Sequence, residues 1–569
     1  MNGVLPRDAG GLGARVHARP GVIGVAFLVG LAAAVRLVAA AAVGFPIPED
    51  TAYYVDVARN LIAGRGLVAD AIWSYQTPPL VFPRPAFEVW LPLPTLMAAV
   101  PMAVGGASFA AAQLVPVVAG VIVVLLADHL AGQVAAEVGL PAERARTLRV
   151  GTALTTALYL PLVLHSALPD STMLFAALAL GACLLMARLL AEPRGYALSD
   201  RRLLGLGLLL GLAALTRNEA IWLAGTWLLL VASRSDLAVG ARLRGIGSVA
   251  AVSLAVVAPW AARDWLVFGT PLPGQALANA LSVTGFDIFA WRDQPTLERY
   301  LALGPGRLLE LRLTGIGHNL VNVLLLLGIP TALVGLLALP TVAGVRVLRP
   351  LLIFSAITFA ATSLLFPVAT TWGTFLHAAG PVHVLLVVAA LLGLDRLLAA
   401  VGHRRGWTRP VAWLGATLTV GGSLIFSSLF LPGVATQAAA RQREFAALER
   451  AFADLGTPLG GGPGASGPVV TNFPIWLAYA TGAPALALPD EPPASVLDLA
   501  SAFPGTRFVV VLGEAHGRWP EVLTSRSSDA AARCFDPVDL AEAVPPNLAS
   551  DLTEVRAWRI TCLGEGSGG

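Results

Sequence analysis

Two adjacent carboxylates occur where the chain leaves its first long apolar segment. Glu49 and Asp50 lie in PIPEDTAYYVDVARNLIAGRG, where a short amphipathic helix is predicted to begin at Asp50 or Thr51 and to end at Gly64. A carboxylate in this position can accept a proton during catalysis. Asp50 is equally suited to cap the predicted helix, because aspartate is a common N-cap residue. The residues alone leave both interpretations open.

A third carboxylate and two histidines occupy other polar segments. Asp170 follows Pro169, and it either serves the same chemistry or caps the next helix as an exposed residue. His318 and His377 are candidate metal ligands, although an isolated histidine near a helix end is more often solvated or hydrogen bonded. Arg36 lies inside the first apolar segment and is assigned no role.

Three arginines are candidates for binding phosphate, because the planar guanidinium can make two parallel hydrogen bonds to a phosphate group. Arg84 lies in FPRPAFE, just before a short apolar run. Arg217 is two residues from Glu219, and Arg263 is next to Asp264. Each of these two arginines has a structural alternative, which is an ion pair with its neighbouring carboxylate.

The composition places these residues in a membrane protein. Hydrophobic residues make up 56% of the 569 residues and charged residues only 13%, and the mean hydropathy is +0.73. The 38 basic residues are all arginine, and the net charge is only +3. Neither feature indicates a nucleic-acid partner. The chain is therefore predicted to span a lipid bilayer many times.

Apolar segments of about 20 residues predict about eleven transmembrane helices and an all-α membrane domain over 21–432. The predicted spans are 21–45, 107–128, 149–167, 170–190, 203–217, 219–233, 246–267, 319–340, 351–368, 379–399 and 411–432. The run 89–104 is short and contains Pro92, Pro94 and Pro101, so it is predicted to lie at the membrane interface.

Arginine sets the predicted orientation, because short cytoplasmic loops collect basic residues. The cytoplasmic segments are then the N-terminal tail 1–20 and the arginine-bearing loops 141–149, 192–202, 234–244, 346–349 and 396–409. The outer segments are the first outer loop 46–88 and the loops 166–171, 216–220, 263–318 and 367–379. All the candidate carboxylates and arginines, together with His318 and His377, fall in outer loops or at their ends.

The last part of the chain has a different composition. Residues 433–467, which are rich in Gly, Ala and Pro, are predicted to be a linker, and 468–569 to be a small extracytoplasmic α/β domain. PVVTNF and RFVVVLGE are predicted strands, and FPIWLAYATG and PPASVLDLASAFPG are predicted helices. Cys534 and Cys562 lie in this polar region, where an oxidising compartment would allow a disulfide.

Four segments resemble, in the same order, the GT-C superfamily of membrane glycosyltransferases, which includes aminoarabinose transferases and protein O-mannosyltransferases. They are EDTAYYVDVARNLIAGRGLV, LPDSTMLFAALALGACLLM, GLLLGLAALTRNEAIWLA and VVAPWAARDWLVFGTPLP. The resemblance covers roughly 21–275. The sequence departs from the family pattern by its Glu49-Asp50 order, by Asn218 where proline is usual, and by Asp264 where asparagine is usual.

The resemblance implies an inverting enzyme that moves a sugar from a polyprenyl-phosphate donor to an acceptor hydroxyl on the outer face of a bacterial cytoplasmic membrane. Glu49 or Asp50 would be the base, and Asp170 a second acid that orients the acceptor or holds a divalent metal ion. Arg84, Arg217 and Arg263 would bind the donor phosphate. The partners are the polyprenyl-linked sugar, membrane lipid and an acceptor glycan, lipid or protein.

Two other classes of protein have similar features. A secondary transporter would show internal repeats and ionisable groups near mid-membrane, and no convincing repeat is found. A non-catalytic member of the same fold could act as a partner in envelope assembly. The enzyme interpretation predicts that Glu49, Asp50, Asp170 and one of the arginines converge on one outward-facing cavity that opens laterally to lipid.

Overall fold

The computed structural model describes residues 22–191, 200–407, 411, 413–460, 464–513, 515–524 and 529–562. Helices occupy most of the chain up to Asp454, and most of the β-strands lie in the C-terminal part. The predicted cytoplasmic tail 1–20 and most of the predicted loop 192–202 lie outside the described residues.

The membrane part consists of a bundle of helices of very different lengths. The α-helices are α1 (Val22–Ala42), α2 (Glu49–Ile62), α3 (Leu93–Gly105), α4 (Phe109–Ala112), α5 (Leu114–Val138), α6 (Ala142–Leu158), α7 (Leu160–His165), α8 (Thr172–Leu190), α9 (Arg201–Ala214), α10 (Ala220–Ala232), α11 (Val239–Phe268), α12 (Ala276–Leu281), α13 (Leu297–Ala302), α14 (Gly304–Gly317), α15 (Thr331–Val342), α16 (Arg349–Leu364), α17 (Thr374–Ala378), α18 (Gly380–Arg404) and α19 (Trp413–Asp454). A π-helical segment, His318–Leu326, connects α14 towards α15.

Seven of the described helices are long and apolar enough to cross a bilayer, and a bent pair, Gly304–Leu326 with Thr331–Val342, brings the number to eight if it forms one span. The remaining predicted spans correspond to shorter helices, α6, α9 and α10. The prediction of many apolar helices is thus confirmed, whereas the number eleven stays a prediction. Helix α3 has 13 residues, too few to cross, which agrees with an interfacial position for 89–104.

Helix α18 is the central element of the bundle. Every residue from Gly380 to Leu392 is buried, as expected for a helix surrounded on all sides by others. It packs against α6, α8, α15 and α16. Small residues allow the close approach: a Cβ on Gly380 would lie 2.6 Å from Cβ of Ala176. The start of α18 therefore has a fixed position at one end of the bundle.

The arginine-bearing loops predicted to be cytoplasmic meet at the opposite end. Arg144 forms an ion pair with Asp395 near the end of α18. Glu137, at the end of α5, accepts hydrogen bonds from the backbone N–H groups of Arg346 and Val347. Arg234 donates to the carbonyl oxygen of Leu190, the last residue of α8. The predicted alternation of loops between two sides is consistent with these contacts.

The C-terminal part is an α/β unit, as predicted. Its helices are α20 (Pro474–Thr481), α21 (Pro493–Ala502), α22 (Glu521–Thr524) and α23 (Pro546–Ala549). The strands in the described residues are β1 (Val68–Ala69), β2 (Ala71–Ile72), β3 (Arg84–Pro85), β4 (Val469–Thr471), β5 (Ala485–Ala487), β6 (Phe508–Leu512), β7 (Phe535–Val538) and β8 (Val555–Ile560). The predicted strands and helices coincide with β4, β6, α20 and α21. Gly482 ends α20 in the left-handed conformation that glycine adopts easily.

One mixed sheet joins this unit to the first outer loop. The strand order is β2-β5-β4-β6-β8-β7. Strands β2, β5, β4 and β6 are parallel to one another. Strand β8 is antiparallel to both of its neighbours, β6 and β7. Strand β2 comes from the first outer loop, so the sheet is completed by a segment some 400 residues earlier in the sequence. Strands β1 and β3 form a separate antiparallel pair within that loop.

Two further features concern the ends of the unit. Cys534 and Cys562 form a disulfide between the start of β7 and the end of β8, which confirms the predicted pairing. The segment 433–467 differs from the predicted linker, because α19 continues through Asp454. Phe445, Leu448 and Phe452 of this extension are buried against the α/β unit, and their burial explains why a segment next to a Gly-rich stretch is helical.

Candidate active site

Two of the predicted acidic residues and two histidines come together at the end of the bundle where the loops predicted to be outer loops meet. The Nε2 atom of His377 lies 3.2 Å from Oδ2 of Asp50, and its Nδ1 atom lies 3.5 Å from Oδ2 of Asp170. The same oxygen of Asp170 lies 3.1 Å from Nδ1 of His165. The four residues form one continuous polar cluster, called here the outer cluster.

Four elements position the outer cluster. Asp50 lies in the first turn of α2, directly after the first apolar helix, and its Oδ1 atom accepts the backbone N–H of Thr51 at 2.9 Å. His165 is the last residue of α7, and Asp170 precedes α8. His377 lies on α17, just before the central helix α18. Because these elements all end at the same side of the bundle, residues far apart in sequence become neighbours.

Asp170 makes the contact of a helix cap and also lies in the outer cluster. Its Oδ1 atom accepts the backbone N–H of Thr172 at 2.7 Å at the start of α8, as a capping residue would. Its Oδ2 atom faces the histidines of the outer cluster. The residue is only 3% exposed, so it is not the exposed cap that the structural alternative assumed.

The two candidate histidines have different environments. His377 is buried, and its Nδ1 atom is 2.7 Å from Oγ1 of Thr172, so of the two alternatives given for a histidine near a helix end it is hydrogen bonded and not solvated. His318 contacts Asn322 within the π-helical segment and is not a member of the outer cluster.

Burial and charge shift the acidic pKa values of the outer cluster in opposite directions. Burial raises the pKa of Asp50 above its ordinary value, although the attraction of His377 opposes the shift. For Asp170, burial is outweighed by the hydrogen bonds and charges of His165 and His377, which hold its pKa below the ordinary value. Burial lowers the pKa of His377, but Asp50 and Asp170 outweigh it and the net shift is upward. Such separation is typical of paired carboxylates with different roles, one that stays ionised and one that exchanges a proton.

Arg217 lies beside the outer cluster. It holds Glu219 through two hydrogen bonds of 2.9 and 3.0 Å, which is the ion pair considered as its structural alternative. Its third contact, at 2.7 Å, is the hydroxyl of Ser171, next to Asp170. Its charge is close enough to lower the pKa of Asp50, after the larger influences of burial, His377 and Asp170. Arg217 is thus both ion-paired and adjacent to the candidate base.

The other two arginines have partners outside the outer cluster. Arg84 is fully buried, forms an ion pair with Glu88, and donates to the carbonyl oxygens of Ser74 and Thr77. A phosphate would have to displace these contacts, so the structure gives Arg84 the environment of a residue that holds the first outer loop together.

Arg263 is half-buried at the end of α11. It donates to the carbonyl oxygen of Ala86, pairs with Asp264, and lies over the rings of Trp260 and Phe268. Its side chain keeps 22% exposure, so, unlike Arg84, it has surface left for a ligand.

Glu49 is separated from the outer cluster by its hydrogen bonds. Its Oε1 atom accepts the backbone N–H groups of Ile475 and Trp476, at 3.0 and 3.3 Å, in the first turn of α20. Glu49 and Asp50 are adjacent in sequence, yet Glu49 faces the C-terminal unit and Asp50 faces His377. Of the two candidate bases that the sequence left open, Asp50 is the one whose carboxylate contacts His377.

His165, Asp170 and His377 could hold a metal ion. One ligand atom from each lies within 4.8 Å of the others. Two imidazole nitrogens and one carboxylate oxygen suit zinc or another transition metal with an open coordination position. Asp50 would then accept a hydrogen bond from His377, as carboxylates commonly do for metal-binding histidines. His165 was not predicted from the sequence, although it lies only five residues before Asp170 in HSALPD.

The chain has no match among protein-family models and none among curated proteins. Its structure, however, is similar to ArnT from Cupriavidus metallidurans in the apo state, with a TM-score of 0.53 and 13% identity over 94% of this chain and 97% of that one. The same protein bound to undecaprenyl phosphate gives a TM-score of 0.52, with 13% identity and the same coverage.

A second similar structure is the Archaeoglobus fulgidus oligosaccharyltransferase in complex with Zn and sulfate. Its TM-score is 0.53, with 14% identity over 90% of this chain and 71% of that one. Both proteins are GT-C glycosyltransferases, and the likeness confirms the predicted resemblance and shows that this chain has their fold. At these identities, the likeness concerns the fold and not the reaction.

Proposed function

We propose that this protein is an inverting glycosyltransferase that moves a sugar from a polyprenyl-phosphate donor to an acceptor hydroxyl. The observation that carries the proposal is the outer cluster itself, in which Asp50, His377 and Asp170 meet beside Arg217. The GT-C fold supports it, and so does the undecaprenyl phosphate bound to the similar ArnT structure.

In the proposed reaction the acceptor oxygen attacks the anomeric carbon from the face opposite the phosphate. The new carbon–oxygen bond forms as the bond to the phosphate oxygen breaks, and polyprenyl phosphate leaves as an anion. Asp50 takes the proton of the acceptor hydroxyl. Its raised pKa strengthens it as a base, because a carboxyl group with a pKa nearer the working pH is the better proton acceptor.

The leaving phosphate needs positive charge more than it needs a proton. Arg217, which contacts Ser171 beside the outer cluster, is the first candidate and Arg263 the second, whereas we assign Arg84 to the structure of the loop. Asp170, which stays ionised, holds His377 in place from the side opposite Asp50. A divalent ion bound by His165, Asp170 and His377 would supply further positive charge. The zinc in the similar oligosaccharyltransferase structure is consistent with such an ion.

We further propose that the outer cluster and the C-terminal unit face the outside of a bacterial cytoplasmic membrane, with the N-terminus in the cytoplasm. The loops predicted to be outside supply Asp50, Asp170, Arg217 and His377, and the loops predicted to be inside meet at the other end of the bundle. With α6, α9 and α10 as short or tilted spans, the count is eleven. The disulfide supports an extracytoplasmic C-terminal unit, because disulfides persist in oxidising compartments.

Sugar transfer in proteoliposomes tests the proposal. Purified protein is offered a panel of polyprenyl-phosphate hexoses and pentoses with membrane glycolipids, envelope glycans and peptides as acceptors. Asp50→Asn is the matched variant, since it keeps the size of the side chain and removes the base. Transfer by the wild type and its loss in Asp50→Asn would support the proposal. Equal product from both proteins, or no product from any donor, would contradict it.

A further inference from the structure

Glu49 connects the start of α2 to the C-terminal unit. Its carboxylate accepts two backbone N–H groups in the first turn of α20, where such groups have no partner within the helix. Burial raises the pKa of Glu49 to about 8, and these two N–H groups oppose that shift, because the N-terminus of a helix carries partial positive charge that favours the ionised form. Glu49 therefore acts as a cap for a helix that lies more than 400 residues further along the chain.

Neighbouring contacts strengthen the same connection. The indole Nε1 of Trp476 donates to the carbonyl oxygen of Pro46 at 2.7 Å. At the other end of α2, Arg59 donates to the hydroxyl of Tyr479 at 2.9 Å and lies over its ring. Thus α20 runs along α2 and is joined to it at both ends.

The strand pairing makes the connection rigid. Strand β2 of the first outer loop pairs with β5, which follows α20, and the N–H of Ala485 donates to the carbonyl oxygen of Asp70 at 2.9 Å. The C-terminal unit is consequently attached to the first outer loop along its sheet and through its helix. Any displacement of α20 would be transmitted to the first turn of α2, where Asp50 is located.

We propose that Glu49 is a positioning residue, which fixes the first turn of α2 against α20 so that Asp50 meets His377. The role rests on the proposed function, in which Asp50 is the base. It also gives the C-terminal unit a part in the reaction, because that unit supplies the surface against which the first outer loop is held. A displacement of about 1 Å at a catalytic group can lower the rate by about 100-fold.

A positioning residue and a base need different properties of the side chain at position 49. Positioning requires an acceptor oxygen at the Glu49 site, and glutamine offers one in nearly the same place. A base requires an ionisable group, which glutamine lacks. Glu49→Gln thus separates the two roles, and Glu49→Ala removes both.

The test compares Glu49→Gln, Glu49→Ala and Asp50→Asn in full-length protein, with Glu298→Ala as a control carboxylate on the exposed face of α13. Three quantities are measured: kcat and KM for sugar transfer, and hydrogen exchange of the backbone amides in 475–481. We expect Glu49→Gln to lose less than about tenfold in kcat. Glu49→Ala should lose about 100-fold in kcat with little change in the KM of the donor, and its α20 amides should exchange faster.

Each outcome bears on the proposal. If Glu49→Gln is as inactive as Asp50→Asn, Glu49 is a base and the positioning role is overturned. Full activity of Glu49→Ala would also overturn it. If the wild type transfers no sugar, the proposed function fails, but the exchange measurement still decides whether Glu49 anchors α20. Unchanged exchange in Glu49→Ala would show that it does not.

Discussion

The Nε2 atom of His377 lies 3.2 Å from Oδ2 of Asp50, while its other ring nitrogen faces Asp170 and Thr172. One histidine thus connects the first outer loop to the loop before α8. Because Asp170 and His377 are buried and the side chain of Asp50 is 13% exposed, these contacts set the orientation of the ring. His377 therefore contacts both carboxylates and connects the elements that carry them.

Replacement of His377 by glutamine should lower kcat by about 10- to 100-fold, the range found when a partner that orients a functional group is lost. Glutamine is similar in length but lacks the two ring nitrogens that contact Asp50 and Asp170. The steady-state rate of transfer is the measurement, and His318→Gln is the control, because His318 contacts Asn322 and not the outer cluster. A rate of His377→Gln equal to that of the control would show that the bridge is dispensable.

The metal content of the purified protein should fall when one of the three candidate ligand residues, His165, Asp170 or His377, is replaced. If the proteins are purified without chelator, His165→Ala and Asp170→Asn should contain less than about one tenth of the wild-type zinc or other divalent ion. Elemental analysis of the purified protein measures this directly, independently of activity. His318→Ala serves as the control and should retain the wild-type content. A wild type that binds no divalent ion would mean that hydrogen bonds alone hold the three residues together.

Replacement of Arg217 by lysine should impair sugar transfer. Its guanidinium holds Glu219 through two bonds and Ser171 through a third, and an ammonium group cannot reproduce this planar arrangement. Arg217→Lys is expected to raise the KM of the donor and lower kcat, together at least about tenfold in kcat/KM. Arg307→Lys, an exposed arginine on α14 paired with Glu310, is the matched control. Equal kinetics in the two variants would exclude Arg217 from donor binding.

The sequence predicted the helical membrane class and the α/β unit because both depend on local patterns. Apolar runs, arginine-rich loops and Gly482 carry that information within a few residues. The predicted alternation of loops between the two sides of the membrane also placed Asp50, Asp170 and Arg217 on the same side. These features needed no knowledge of tertiary contacts.

The remaining features depend on tertiary contacts. His165 lies within what the sequence presents as an apolar span, so only the break between α7 and α8 makes it part of the cluster. The direction in which Glu49 points is set by α20, and strand β2 has only two residues, which pair with a segment near position 485. No local pattern could have indicated any of these three.

The disulfide gives the last prediction, which concerns both stability and side of the membrane. Under denaturing conditions without reductant, one thiol per chain should react, because Cys183 is the free cysteine and Cys534 is paired with Cys562. Three thiols should react after reduction.

In intact spheroplasts, mild reduction followed by a membrane-impermeant maleimide should label Cys534 and Cys562, since an extracytoplasmic C-terminal unit is accessible from outside. Cys534→Ser/Cys562→Ser should lose about 2–4 kcal/mol of the free energy of unfolding of that unit. Three reactive thiols before reduction would contradict the pairing, and labelling only after the membrane is permeabilised would reverse the proposed orientation.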